Sequence, residues 1–138
     1  MRFHKDAKVE LIRHVPLFTN CSKKDLRQSA SLADGMDYPE GKVLIREGRP
    51  GSEFFVIVEG RVDVSRDGQS IDTLESGDFC GEVALLSGHP RNATVTTLTP
   101  VLLLVIFVRE FRSLLVDQPE IQSKVLAALA DRLAPDAL

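Results

Sequence analysis

The alternation of apolar and polar positions divides the chain into helical, strand-rich and helical stretches. Over 7–15 the apolar residues Ala7, Val9, Leu11, Ile12 and Val15 predict a short helix that Pro16 stops. Pro16, Leu17 and Phe18 then lead to Ser22, a good N-cap for a helix over about 23–33 with Leu26, Ala30 and Ala33 on one stripe. The character changes at Gly35. Short strand-like runs follow at 36–38, 42–46, 54–58 and 61–65, separated by Pro39-Glu40-Gly41, Gly48-Arg49-Pro50-Gly51 and Glu59-Gly60. Further runs lie at 69–74, 93–98 and 101–107, and Asp67-Gly68 is a hairpin-type dipeptide. Strands this short at this spacing predict a closed or nearly closed barrel or a jelly roll. No strand-helix alternation points to a Rossmann-type sheet.

The end of the chain returns to helical periodicity. A helix is predicted over 108–116 with Phe111, Leu114 and Leu115, an interruption at Asp117-Gln118-Pro119, and a second helix to about Leu133. Ile121, Val125, Leu129 and Leu133 lie four apart on one face, and Pro135 ends the pattern. The greasiest run, 101–108, is too short to span a bilayer as a helix and reads as a buried strand.

Composition narrows the function classes. A length of 138 residues suits one domain, and 43% hydrophobic with 27% charged residues suits a soluble globular one. The formal net charge of -3 gives no electrostatic footprint for nucleic acid or an anionic membrane, so any anion site must be local. Cys21 and Cys80 make neither a disulfide framework nor a metal cluster; reduced thiols and a cytoplasmic location fit them. The N-terminus opens no apolar run of signal-peptide length. His4, His14 and His89 show no metal-ligand spacing, and no phosphate-loop, nucleophile-elbow or zinc motif occurs. Lys23, Lys24 and Arg27 read as a solvated helix face.

Candidate chemistry concentrates in 77–95. A Gly77-Asp78 turn leads to Gly81-Glu82 at the mouth of a short helix; Ser87-Gly88-His89-Pro90 then turns the chain and delivers Arg91 ahead of an alternating strand. A glycine at a helix start lets a ligand approach bare N–H groups, where the helix dipole favours an anion. Arg91 adds a permanently charged fork suited to phosphate. A carboxylate repels phosphate, so Glu82 needs another task, such as accepting hydrogen bonds from sugar hydroxyls. The pattern asks for a small ligand with both a phosphate and a hydroxyl-bearing sugar. The alternative is a surface hairpin in which Glu82 and Arg91 form an ordinary ion pair.

The order Gly81-Glu82-Val83-Ala84-Leu85, a turn, then Pro90-Arg91-Asn92-Ala93 resembles the phosphate-binding cassette of the cyclic nucleotide-binding domain family. Tyr38-Pro39-Glu40-Gly41, Ile45-Arg46-Glu47-Gly48, Pro50-Gly51, Val58-Glu59-Gly60-Arg61-Val62 and the lead-in Pro16-Leu17-Phe18 also resemble it in order, so the likeness covers nearly the whole chain. It implies an α+β, mainly β fold: an eight-stranded β-barrel (jelly roll) at 35–107, N-terminal helices at 1–34, and C-terminal hinge and lid helices at 108–134, all in one domain over 1–138. It also implies that Gly81 and the N–H groups near Val83 and Ala84 hold phosphate and ribose oxygens. Glu82 would then accept the ribose 2′-hydroxyl and Arg91 pair with the exocyclic phosphate oxygens, with Asn92 and Ala93 close by. Val64 and Leu74 are candidates for the apolar wall, or for plain core.

Two departures bear on this. Cys80 stands where the family usually has an aromatic or aliphatic residue; it reads as inert core, with a redox sensor as the alternative. Asn92 follows the arginine where relatives often have Thr, Ser or Ala, which leaves the base open, with cAMP favoured on family frequency over cGMP. For the lid, no aromatic follows Phe111, so Leu126, Leu129, Arg132 and Leu133 are the candidates, and Arg132 reads first as solvent-exposed.

The function expected is a non-enzymatic receptor module with no cofactor beyond its cyclic nucleotide. It would signal through its C-terminal helices to a protein effector, with the last helix as a possible homodimer seam. No helix-turn-helix, kinase, channel or enzyme segment is expected in the five residues after Leu133, and no direct DNA binding. The rivals are a protein-interaction scaffold that binds no nucleotide, the sensor part of a catabolite-activator-type transcription regulator, and, least favoured, a phosphodiester hydrolase.

Overall fold

Two runs of the sequence are apolar without alternation, and both become strands buried on two faces. They are β3 (Glu53–Glu59) and β8 (Val101–Phe107), which pair antiparallel in the middle of one sheet. Phe54, Val56, Leu104 and Ile106 face the helices, whereas Phe55, Ile57, Val101, Leu103 and Val105 face a second sheet. A strand covered on both sides has no polar face to display, so its periodicity disappears. The computed structural model describes residues 5–133; the stop at Pro135, Ala134 of the expected lid segment, and His4 lie outside the described residues.

The other strands are β1 (Asp34–Tyr38), β2 (Val43–Ile45), β4 (Arg61–Arg66), β5 (Gln69–Glu75), β6 (Phe79–Cys80) and β7 (Thr94–Thr97). They assemble as two four-stranded antiparallel sheets, in the orders β1-β8-β3-β6 and β2-β7-β4-β5. Among the described residues there are eight strands, but the sheets do not close into a barrel: no ladder there joins one sheet to the other. The result is an α+β sandwich. Asp67 and Gly68, both with positive φ, form the expected β4–β5 turn. Strand β6 falls between the Gly77-Asp78 turn and the mouth of the short helix, where the sequence predicts no strand; two residues paired to Phe55 and Val56 are too few to leave a periodic signal.

Among the described residues five helices lie on the side of the first sheet turned away from the second: α1 (Lys5–Ile12), α2 (Lys23–Leu32), α3 (Glu82–Ser87), α4 (Val108–Asp117) and α5 (Pro119–Leu133). Helix α1 ends at Ile12 rather than at 15, because Val15 precedes a proline and is extended (φ -76°, ψ 127°), opening a 3-10 turn over Pro16–Phe18. Ser22 caps α2 as expected, its hydroxyl accepting from the Asp25 N–H at 3.1 Å. Gln118, buried between α4 and α5, donates to the Asp25 carbonyl and to Ser29 Oγ, which ties the bend to α2. On α5 only Ile121 and Val125 of the expected stripe are fully buried; Leu129 is half-buried and Leu133 exposed, because the helix runs past the core toward α3.

Phe111 joins the helical cover to the sheet, its ring stacked on Phe54 at 4.5 Å between centroids. Truncating a fully buried aromatic costs about 3–5 kcal/mol. Phe111→Ala therefore lowers the urea midpoint by that equivalent; a loss under about 1 kcal/mol would mean that the cover is not fastened there.

Candidate functional site

Gly81 sets the geometry. It caps α3 with φ 103°, a left-handed conformation open to glycine, and a Cβ there would lie 2.7 Å from the Glu53 carbonyl oxygen. Only a glycine lets the strand β6 turn into α3 this close to the start of β3. The first turn of α3 then points Glu82 inward, where it is fully buried, and places Val83 and Ala84 beside it.

Arg91, after the turn that follows α3, folds back under the same segment. Its Nη1 donates to the Gly81 carbonyl at 2.9 Å and its Nη2 to the Glu53 carbonyl at 2.7 Å, and the residue is buried. Burial lowers the pKa of the guanidinium from its ordinary value, opposed by the Glu53 carboxylate; at that starting point it remains charged. Gly51 makes room for it, since a Cβ at Gly51 would stand 2.7 Å from Ala84 Cβ and 3.0 Å from Arg91 Cζ.

Glu82 is not paired with Arg91. Its Oε1 accepts from Arg132 Nη1 of α5, while Oε2, equally buried, has no hydrogen-bond partner among the described residues. The surface hairpin with a Glu82–Arg91 ion pair is thus replaced by a buried carboxylate held from the far helix. Arg132 also donates to the Phe79 carbonyl at 2.7 Å and lies over the Phe79 ring at 5.2 Å. The expectation that Arg132 faces solvent is corrected: a buried carboxylate and an open carbonyl draw it in, leaving 32% of its side chain exposed.

These groups line a cavity of about 300 Å³, at the lower end of the range for small-ligand sites. All seven expected binding residues border it: Gly81, Glu82, Val83, Ala84, Arg91, Asn92 and Ala93. Val64 and Leu74 supply apolar wall. Of the lid candidates Arg132 alone lines it; Leu126 and Leu133 are about half exposed, and Leu129, half-buried, is not among the lining residues. Asn92 is exposed, its carbonyl accepting from Arg66 Nε at 2.8 Å. Arg66, Ile71, Asp72 and Asp131 also line the cavity and are not legible as site residues in the sequence. Ile71, a large apolar residue between Ser70 and Asp72 on β5, is the one that carried a signal. Among the described residues no group of three or more His, Cys, Asp or Glu is placed to hold a metal ion, and no helix is long and apolar enough to cross a membrane.

An α+β sandwich whose short helix and returning arginine wall a small-ligand cavity is a recognisable class of ligand-cavity module. Within that class the chain belongs to the cyclic nucleotide-binding domain family, whose model matches residues 36–118. A cyclic nucleotide-gated potassium channel of Rhizobium etli is 36% identical over 123 residues, 89% of this chain and 34% of the channel. The catabolite activator protein of Thermus thermophilus superposes with a TM-score of 0.76 at 26% identity, over 86% of this chain and 58% of that one. A structure described as cAMP-bound PfPKA-R superposes with a TM-score of 0.79 at 24% identity, covering 96% of this chain and 48% of that one. The chain spans about a third of the length of the curated channels it matches.

Cys80, next to Gly81 on the cavity floor, is buried, and burial reinforced by the Glu82 carboxylate pushes its thiol up to about 12. An unfolded thiol ionises near pH 8.5, so the folded state holds its proton longer, and stability falls as pH rises from about 8.5 toward 12. Alkylation of the native protein at mildly alkaline pH, mapped by peptide mass, labels the partly exposed Cys21 and spares Cys80 until denaturant is added. Equal labelling of the two thiols in the native protein would contradict this burial.

Proposed function

We propose that this chain is a non-enzymatic receptor for a 3′,5′-cyclic nucleotide, cAMP before cGMP, acting in a reducing, cytoplasmic compartment. The observation that carries the reading is the pairing of two unlike buried groups in one cavity. Glu82 Oε2 is a carboxylate oxygen shut away from water with no partner among the described residues, and Arg91 is a buried cation whose carbonyl bonds leave other N–H groups uncommitted. A buried unpaired acceptor is costly, and a ligand hydroxyl removes that cost. A buried guanidinium fork suits a phosphate. One small molecule that brings both to a single cavity is a cyclic nucleotide with a free 2′-hydroxyl.

In this reading the N–H groups of Val83 and Ala84, in the first turn of α3 and so without intrahelical acceptors, take phosphate oxygens beside Gly81. Ala93 adds a backbone N–H, and Asn92, at the exposed mouth, meets the base. The preference for cAMP leans on family membership and on the cAMP-bound state of the PfPKA-R structure. Output passes through the hinge at Phe111 to Pro119 and through α5, whose half-exposed Leu126 and Leu133 offer a surface to a protein effector or a second copy. Family membership supports reading the sandwich as a jelly roll and the chain as one domain.

Calorimetric titration with cAMP and with cGMP tests the proposal. Saturable binding is expected, and Arg91→Ala weakens it by roughly thirtyfold to several-thousandfold, the equivalent of about 2–5 kcal/mol for one partner of a buried charged pair. A thermal melt accompanies the variant, because it also frees the Gly81 and Glu53 carbonyls. The absence of heat with either nucleotide, or full affinity retained in a folded Arg91→Ala protein, contradicts the assignment.

A further inference from the structure

A second cavity, of about 430 Å³, shares no lining residue with the first. It opens between β1 and β2, the edge strands of the two sheets. Strand β2 has only three residues, too few to cover the seven-residue strands β3 and β8 of the facing sheet. The face left uncovered is not plain core. Alternation carries the inward set on past Phe55 and Val105 to Glu53 and Phe107, which are paired, and Asp34 of β1 stands opposite Val105. A half-exposed aromatic ring, Phe107, therefore sits on the strand between two carboxylates that line the gap. Their strands are two spacings apart, about 10 Å.

Neither carboxylate is held by a cation of its own. Among the described residues Asp34 has no side-chain hydrogen bond or ion pair. Glu53 Oε1 accepts from the neighbouring Ser52 hydroxyl, and its charge acts on Arg91, whose bonds go to carbonyls. The other end of the cavity carries a cation already. Lys42 holds its ammonium 5.5 Å from the centre of the Tyr38 ring, and both residues line the cavity. The chain thus lays one alkylammonium of its own against this wall. Two carboxylates against one ammonium leave the lining net negative.

We infer that this cavity is a second ligand site, for a linear aliphatic diamine. Its two ammonium groups pair with Asp34 and Glu53, and its methylenes lie on Phe107 and Val105. A bare metal ion has no use for the aromatic floor, and among the described residues no group of three acids is placed to hold one. An uncharged apolar guest would leave both carboxylates covered and unpaired, which is costly. Lys42 acts as an internal competitor. The site stands apart from the nucleotide reading, since none of the seven cassette residues lines it.

Backbone-amide NMR of the wild-type protein, titrated with butane-1,4-diamine at constant ionic strength, tests the inference. Saturable shifts are expected at Asp34, Met36, Phe55 and Phe107, while Gly81, Glu82 and Ala84 stay in place. n-Butylamine binds about fivefold more weakly, the loss of one half-exposed ion pair, and butane-1,4-diol does not bind. Asp34→Asn and Glu53→Gln each weaken the diamine by a similar factor. Lys42→Gln strengthens it, because the internal ammonium is gone. Glu120→Gln and Lys23→Gln, matched charge changes on exposed helix positions, alter affinity by less than about twofold.

Shifts centred on Gly81 to Ala84 would put the amine in the nucleotide cavity, where Asp72, Glu82 and Asp131 are acids, and overturn the inference. So would n-butylamine binding as tightly as the diamine, equal weakening by Glu120→Gln, or shifts that rise without saturating. Should Asp34→Asn or Glu53→Gln not fold, the wild-type shift map and the n-butylamine comparison decide by themselves.

Discussion

Taking the Glu82 carboxylate out of water costs several kcal/mol even after a protein relaxes around it, and the neighbourhood of this residue is organised to meet that cost. Helix α3 begins at a left-handed glycine so that Glu82 points inward at the first helical position. Helix α5 runs beyond the buried part of its apolar stripe, which ends at Val125, to bring Arg132 to Oε1. Arg91 returns beneath the same turn, but its bonds go to the Gly81 and Glu53 carbonyls and not to the carboxylate. The two opposite charges of the cassette, Glu82 and Arg91, are thereby kept from bonding to one another. Each retains bonding capacity toward the cavity between them.

The sandwich supplies the rigidity that this arrangement requires. Strands β3 and β8 are buried on both faces, with Phe54 stacked between the sheet and α4. The carbonyl of Glu53, at the start of β3, is one of the two oxygens that hold Arg91, so the site's cation is fastened to the most deeply packed sheet. Gly51 and Gly81 let the chain segments approach closely enough for that bond, and a Cβ at either would collide with backbone or with the arginine. Gln118 performs a comparable service at the other end of the hinge, pinning the α4–α5 bend to α2 through two hydrogen bonds.

Much of this was legible in the residues. The N-cap at Ser22, the hairpin at Asp67-Gly68 and the doubly buried run 101–107 follow from local chemistry and come out as expected. The seven residues of the cassette border one cavity because they lie close together in sequence, on one turn of helix and the loop that returns to it. What the sequence concealed depends on residues brought together from afar. Whether eight short strands close into a barrel or remain two open sheets is decided by edge geometry, which no single strand encodes. Arg132 on an outer helix face looks like any solvated arginine until Glu82, fifty positions earlier, is known to lack a cation. Helix α1 is shorter than its apolar pattern for a local reason, the extended conformation that Pro16 imposes on Val15.

The account therefore turns on Oε2 of Glu82 as the acceptor for a sugar hydroxyl, and the most direct test compares wild-type affinity for cAMP with that for its 2′-deoxy counterpart. The two ligands share phosphate and base and differ in the one donor. A hydrogen bond to a charged acceptor contributes about 1.5–3 kcal/mol, so the deoxy ligand is expected to bind roughly tenfold to somewhat over a hundredfold more weakly. Equal affinities would show that the hydroxyl does not reach Glu82, and would leave the buried oxygen without the role assigned to it.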